Sequence, residues 1–136
     1  MKLEGTWYNQ LGSKMTLQVV QGAVTGTYET AVGSASGEYT VAGRTDTDND
    51  SSRNVGFVVS WENVNGSSDS VTAWSGQLQE IDGQEILRTF WLLTIETKPD
   101  TNWKSTLVGN DTFTRTPPGE EHAQKAMREG PCSHPL

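Results

Sequence analysis

The residues best suited to chemistry in this chain are aromatic and short polar ones, not acid–base pairs. Five tryptophans, Trp7, Trp61, Trp74, Trp91 and Trp103, occur in 136 residues, and each falls in a segment that reads as a β-strand. Asn9, Ser13, Tyr28, Thr30, Ser70, Thr72 and Asp111 bring hydrogen-bonding groups to the same segments. Ser70, Thr72 and Trp74 are spaced two apart, so a strand projects all three from one face. Tryptophans in a β-domain also serve as plain core. An aromatic wall with a few convergent polar groups, however, is what a buried small-ligand pocket requires. The combination points to a site for a small neutral or singly charged molecule.

Catalytic and metal chemistry is less well supplied. Both histidines, His122 and His134, stand near the C-terminus, so no Ser–His or Cys–His pair sits on the scaffold and no catalytic residue is assigned. A glycosidase needs two carboxylates across a cleft. Glu29, Glu62 and Asp111 are the candidates for such an enzyme, built on a Trp-rich β-sandwich. A lipocalin-like carrier of a larger apolar ligand is a third reading, and it predicts a less polar pocket than Asn9, Ser13, Tyr28 and Asp111 supply. Asp46, Asp48 and Asp50 have the alternate spacing of a calcium loop, but Ser51 stands where the turn needs glycine and Phe57 where the bidentate glutamate belongs. His122, Cys132 and His134 are irregularly spaced for a metal site. Neither a metal nor a cofactor is expected.

Charge narrows the partners. Lys and Arg number 10 against 17 Asp and Glu, for a net charge of −7, and no basic footprint suited to a phosphate backbone is present. Nucleic acid is excluded as a partner. No apolar run approaches the roughly 18 residues of a membrane span, so a membrane is not expected either. Met1-Lys2-Leu3-Glu4-Gly5 lacks the apolar stretch of a secretory leader, which leaves a mature secreted chain or a cytoplasmic one. The lone cysteine, Cys132, cannot form a disulfide within the chain. Asn49-Asp50-Ser51, Asn65-Gly66-Ser67 and Asn110-Asp111-Thr112 fit the glycosylation triplet, which matters only for a secreted chain.

The elements that must position the candidate residues are short strands between Gly, Asn, Asp and Ser clusters. Eight are expected, over about 6–12, 14–20, 24–31, 38–44, 54–62, 70–80, 85–95 and 103–115. Met15, Leu17 and Val19 alternate with Lys14, Thr16 and Gln18, the pattern of a strand with one buried face. In the third strand the set Gly26, Tyr28 and Thr30 is polar or aromatic, which suits a lined cavity. Regular turn signals make this an all-β antiparallel meander, closed as a barrel or folded as a sandwich. Residues 45–54 are a polar acidic loop. From Pro117-Pro118-Gly119 the composition changes, so residues 1–116 are expected to form one domain and 117–136 a disordered or briefly helical tail.

The residues also carry a resemblance. Gly5-Thr6-Trp7-Tyr8-Asn9-Gln10-Leu11-Gly12-Ser13, Gly26-Thr27-Tyr28-Glu29, Thr72-Ala73-Trp74-Ser75-Gly76-Gln77, Trp91-Leu92-Leu93, Trp103-Lys104-Ser105-Thr106-Leu107-Val108-Gly109 and Asp111-Thr112-Phe113-Thr114 occur in order over residues 5–115. This series resembles the avidin/streptavidin family of biotin-binding proteins, its streptavidin and tamavidin members in particular. The resemblance implies an eight-stranded antiparallel up-and-down β-barrel that binds biotin tightly without catalysis, one per subunit, sequestering the vitamin.

It also implies roles. Asn9, Ser13 and Tyr28 would donate to the ureido oxygen of biotin, and Asp111 and Thr30 would accept from the ureido N–H groups. Thr72 would touch the ring sulfur, while Ser70 and the backbone N–H of Ser34 would hold the carboxylate. Trp61, Trp74 and Trp91 would wall the bicyclic ring, with Leu11, Val32 and Leu93 completing the lining. Residues 32–37 match the family's lid loop. Trp103 would reach into a neighbouring subunit's site, which implies a homotetramer built as a dimer of dimers. Thr30 stands where the pattern has serine, Ser34 where the lid has asparagine, and Asn110 where the interface has histidine. Each substitution keeps the required donors and acceptors.

Overall fold

The computed structural model describes residues 2–31, 37–46, 54–62 and 69–120. Its strands are β1 (Gly5–Tyr8), β2 (Lys14–Val20), β3 (Ala23–Glu29), β4 (Glu38–Thr45), β5 (Asn54–Trp61), β6 (Ser70–Ile81), β7 (Gln84–Ile95) and β8 (Thr106–Thr114). Each pairs antiparallel with the next, and β8 returns to β1, so the sheet closes as an up-and-down barrel. Period-2 alternation decides what faces inward. On β2, Met15, Leu17 and Val19 are buried, and β5 buries Val55, Phe57, Val59 and Trp61 in the same rhythm.

The connections fix which end of the barrel can be open. At one end, β2–β3 and β6–β7 turn through Gln21-Gly22 and Asp82-Gly83, all with positive φ, the geometry that follows the twist of a tight hairpin. Val19, Val24, Leu78 and Leu87 are buried toward that end. At the other end the β1–β2, β3–β4, β5–β6 and β7–β8 connections gather, and the chain brings Asn9, Leu11, Ser13, Trp61 and Ser70 there. Gly26 on β3 is forced by packing, since a Cβ would lie 1.9 Å from the Thr16 carbonyl oxygen of β2.

The seam between β1 and β8 is short, with Tyr8 opposite Thr114 as its registered pair. Arg115 fastens it. Its guanidinium lies 3.6 Å from the centroid of the Trp7 ring, donates from Nη1 to the Thr6 carbonyl at 3.3 Å, and meets Glu85 at 3.3 Å. Trp7 is fully buried and donates its indole N–H to the Leu3 carbonyl at 2.8 Å. It is a structural residue of the closed barrel.

Three expected boundaries are corrected. The first strand ends at Tyr8, not at residue 12, because Asn9 folds the chain back. Its Oδ1 accepts from the backbone N–H groups of Leu11 (3.0 Å) and Ser13 (2.9 Å), a local bond that competes with strand pairing. Gly12, at φ +91°, completes the turn. The third strand stops at Glu29, leaving Thr30 just past its end. The last begins at Thr106, because Pro99 opens a 3₁₀ helix over Pro99–Lys104. Trp103 therefore lies on a helix and not on a strand, and only Trp7, Trp61, Trp74 and Trp91 sit on strands.

Candidate binding site

The β1–β2 turn supplies the first wall. Because the Asn9 carbonyl oxygen is held by two backbone N–H groups, its amide nitrogen is the end that points to the interior. There it donates to the Tyr28 hydroxyl and to Asp111 Oδ1, both at 3.4 Å. Ser13, four residues along the same turn, accepts the Ala31 N–H at 3.0 Å. Its hydroxyl also hydrogen-bonds Tyr28. Asn9, Ser13 and Tyr28 are each buried.

Asp111 supplies the opposite chemistry. It is fully buried on β8 and receives N–H groups from three directions. Trp74 Nε1 donates to Oδ2 at 2.9 Å, and Gln10 Nε2 (3.0 Å) and Asn9 Nδ2 (3.4 Å) donate to Oδ1. Thr89 on β7 donates its hydroxyl to the Asp111 carbonyl at 2.9 Å and fixes the backbone there. Such bonds stabilise a carboxylate that burial alone would destabilise. Burial and the nearby charge of Asp111 push the Tyr28 hydroxyl well above its usual value, against a smaller opposing effect of the Ser13 hydrogen bond. Tyr28 therefore remains a proton donor throughout the neutral range.

Aromatic rings enclose these groups. Trp74 stacks on Tyr28 at 5.3 Å and on Phe57 at 4.9 Å, while Trp61 meets Tyr28 edge-on at 5.5 Å. Trp61 donates to Thr72 Oγ1 at 2.8 Å. Trp91 pairs across from Trp74, and Leu93 from Thr72. All of these side chains are buried, as is Leu11. Among the described residues, two buried polar atoms, Ser70 Oγ and Trp91 Nε1, have no hydrogen-bond partner. Burying such groups unpaired is costly, and both belong to the inward faces of their strands. The arrangement suits a small molecule with a compact polar head, matched to donors on one side and a carboxylate on the other, and an apolar body against indole.

The barrel thus brings together Asn9, Leu11, Ser13, Tyr28, Trp61, Ser70, Thr72, Trp74, Trp91, Leu93 and Asp111, with half-buried Thr30 beside the turn. Trp103 is not among them: in the single chain it is 78% exposed. Val32, Ser34, the calcium-like loop's Asp48, Asp50 and Ser51, the Asn49 and Asn65 triplets, His122, Cys132 and His134 lie outside the described residues, while Phe57, where the loop would need its glutamate, is buried on β5. The paired-carboxylate alternative is corrected. Strand alternation puts Glu29 outside the barrel beside inward-facing Tyr28, Glu62 is exposed beyond β5, and Asp111 is engaged by indole and amide donors. Gln10, Thr89 and Phe57 were not expected at the site. The position of Gln10 between Asn9 and Leu11 was the one available signal, and it gave no hint of the partner on β8. Among the described residues no three His, Cys, Asp or Glu side chains could hold a metal ion, and no helix is long and apolar enough to cross a membrane.

Comparison with known proteins gives this architecture a family. The family model described as "Avidin family" matches residues 1–116. Avidin of Gallus gallus is 38% identical over 121 residues, covering 83% of this chain and 77% of that protein. Avidin-related protein 4/5 of the same species is 38% identical over 119 residues, with the same coverage. Fibropellin-1 of Strongylocentrotus purpuratus is 35% identical over 120 residues, 83% of this chain but 11% of that protein. A closed eight-stranded antiparallel barrel, matched over residues 1–116, makes this chain a member of the avidin family.

Proposed function

We propose that this protein binds biotin inside its barrel, one molecule per subunit, and sequesters the vitamin. As a member of the avidin family it is a binding protein and not an enzyme. One observation carries the reading: Asn9, Ser13 and Tyr28 meet Asp111 within an aromatic enclosure. A cyclic urea needs that combination, three donors for its oxygen and acceptors for its N–H groups. In this reading Asp111 and Thr30 take the two N–H groups, Thr72 faces the sulfur, and Trp61, Trp74 and Trp91 pack on the rings. Ser70 Oγ, buried without a partner among the described residues, takes the carboxylate together with Ser34. Leu11, Val32 and Leu93 complete the lining. Hydrogen bonds to a charged or polarised group in a water-excluded site are strong.

The same reading makes the functional unit a homotetramer in which Trp103 completes a neighbour's site. Its support is the outer surface. Val58, Ala73, Leu92 and Val108 are in register across β5, β6, β7 and β8, and Val58, Leu92 and Val108 are exposed, with Val71 and Phe90 nearby. Apolar rows of this kind favour pairing with a second copy.

Titrating intrinsic tryptophan fluorescence with biotin, at known protein concentration, tests the proposal. The expected result is quenching that breaks sharply at one biotin per chain. No response up to millimolar biotin would overturn it.

A further inference from the structure

Gln10 belongs to the turn that carries Asn9 and Ser13, yet its side chain crosses the seam to β8. Nε2 donates to Asp111 Oδ1 at 3.0 Å and to the Asn110 carbonyl at 3.4 Å, while Oε1 accepts the Thr112 N–H at 3.0 Å. One amide thus holds the backbone on both sides of Asp111 and the carboxylate between them. Tyr8 and Thr114 form the registered pair of this seam, so beyond them the Gln10 side chain does what a longer β1 would have done with its backbone. The donors of the turn and the acceptor on β8 are connected through it.

We propose that Gln10 is a positioning residue of the site, holding the Asp111 carboxylate in fixed relation to Asn9, Ser13 and Tyr28 before any ligand arrives. Its effect on ligand rests on the biotin reading; its effect on Asp111 in the ligand-free protein does not. The amide is chemically required, because it donates to the carboxylate while accepting from the Thr112 N–H. Glutamate would keep the acceptor but set a second carboxylate against Asp111, and like charges that close do not both ionise without cost. The groups facing Asp111 from the surrounding elements include Asn9 and Gln10 of the turn, Tyr28 of β3, Trp74 of β6 and Thr89 of β7. Of these only Tyr28 is titratable, and it stays protonated across the range needed.

The test measures biotin dissociation from wild type, Gln10→Ala and Gln10→Glu as a function of pH, from about 4, near the ordinary carboxylate value, to about 8, because two carboxylates in contact titrate as a coupled pair. In parallel, the carbon-13 shift of the Asp111 carboxyl is titrated in the ligand-free proteins. Gln10→Ala is expected to release biotin about tenfold faster, the loss of one hydrogen bond to a charged group, with a flat pH profile. Gln10→Glu is expected to release it faster as pH rises, and the Asp111 titration is expected to move upward in both variants. If Gln10→Glu does not fold, the Asp111 titration in Gln10→Ala decides. Unchanged release with an unmoved titration would overturn the proposal. So would faster release without pH dependence and without movement of Asp111, since a merely loosened turn gives that result. A wild type that ignores biotin overturns the biotin reading alone, and the ligand-free titration still decides the role of Gln10.

Discussion

The indole N–H of Trp74 donates to Asp111 Oδ2 at 2.9 Å across the barrel interior, joining β6 to β8 past the intervening β7. The same ring stacks on Tyr28 and Phe57, so one residue belongs both to the aromatic wall and to the polar network. Sliding or tilting that ring would break a hydrogen bond to a buried carboxylate, which keeps the wall in register with the acceptor. If the proposed ligand occupies the barrel, this coupling would make it selective for N–H groups beside an apolar body, since neither surface can adjust without the other.

Asp111→Ala removes the acceptor that Trp74, Gln10 and Asn9 share. Biotin affinity is expected to fall by ~2–5 kcal/mol, the range found when one partner of a buried charged interaction is lost. Isothermal calorimetry checks this, and a variant that binds as tightly as wild type would remove Asp111 from the site.

Tyr28 predicts a loss of stability in alkali. Its hydroxyl is held protonated above its usual value, first by burial and then by the Asp111 charge. The unfolded chain therefore releases this proton at lower pH than the native one, so rising pH favours unfolding. The Tyr28 contribution is complete below the ordinary tyrosine value of about 10 and is lost between there and the native value. Denaturant titrations from neutral pH upward are expected to show stability falling above that point, with a smaller fall in Tyr28→Phe. Equal slopes in the two proteins would contradict the assignment.

Alternation made much of the site legible from sequence. Ser70, Thr72 and Trp74 could be placed on one face by spacing alone, and all three are buried there. Asn9 and Ser13 were recognisable as candidates that the fold brings together in the barrel, but not the turn that Asn9 itself makes, because a short polar side chain caught by Leu11 and Ser13 N–H groups overrides strand propensity. Trp103 looked like a strand residue from its Thr- and Val-rich surroundings, although Pro99 was the local signal for a helical start. Gln10 and Arg115 were invisible for a different reason. Their partners lie about a hundred residues away, and only closure of the barrel makes them neighbours.

Arg115 is expected to govern the seam. Arg115→Ala loses the contact with the Trp7 ring and the hydrogen bond to the Thr6 carbonyl, together about 1–3 kcal/mol of stability. Lysine is not expected to restore it, because it lacks the planar fork that stacks and donates at once. Hydrogen exchange localises the effect: protection should drop first in β1 and at Thr114. Uniform loss across the barrel, or none, would refute the clasp.

Trp103 and Leu92 separate assembly from binding. Trp103 is 78% exposed and Lys104 Nζ lies 4.9 Å from its ring centroid, while Leu92 lies between Ala73 and Val108 on the apolar outer row. If Trp103 completes a neighbour's site, Trp103→Lys should weaken biotin binding and lower the temperature gain on adding biotin, because ligand and assembly are linked. If the outer row pairs with a second copy as proposed, Leu92→Glu should instead dissociate that oligomer by placing like charges at a symmetric contact, and biotin affinity should fall through the loss of the neighbour's tryptophan. Size-exclusion chromatography with light scattering, run with and without biotin, reads both effects. A monomeric wild type would discard the tetramer, and a Trp103→Lys tetramer with unchanged affinity would discard the shared site while leaving the barrel interior as the place where biotin is held.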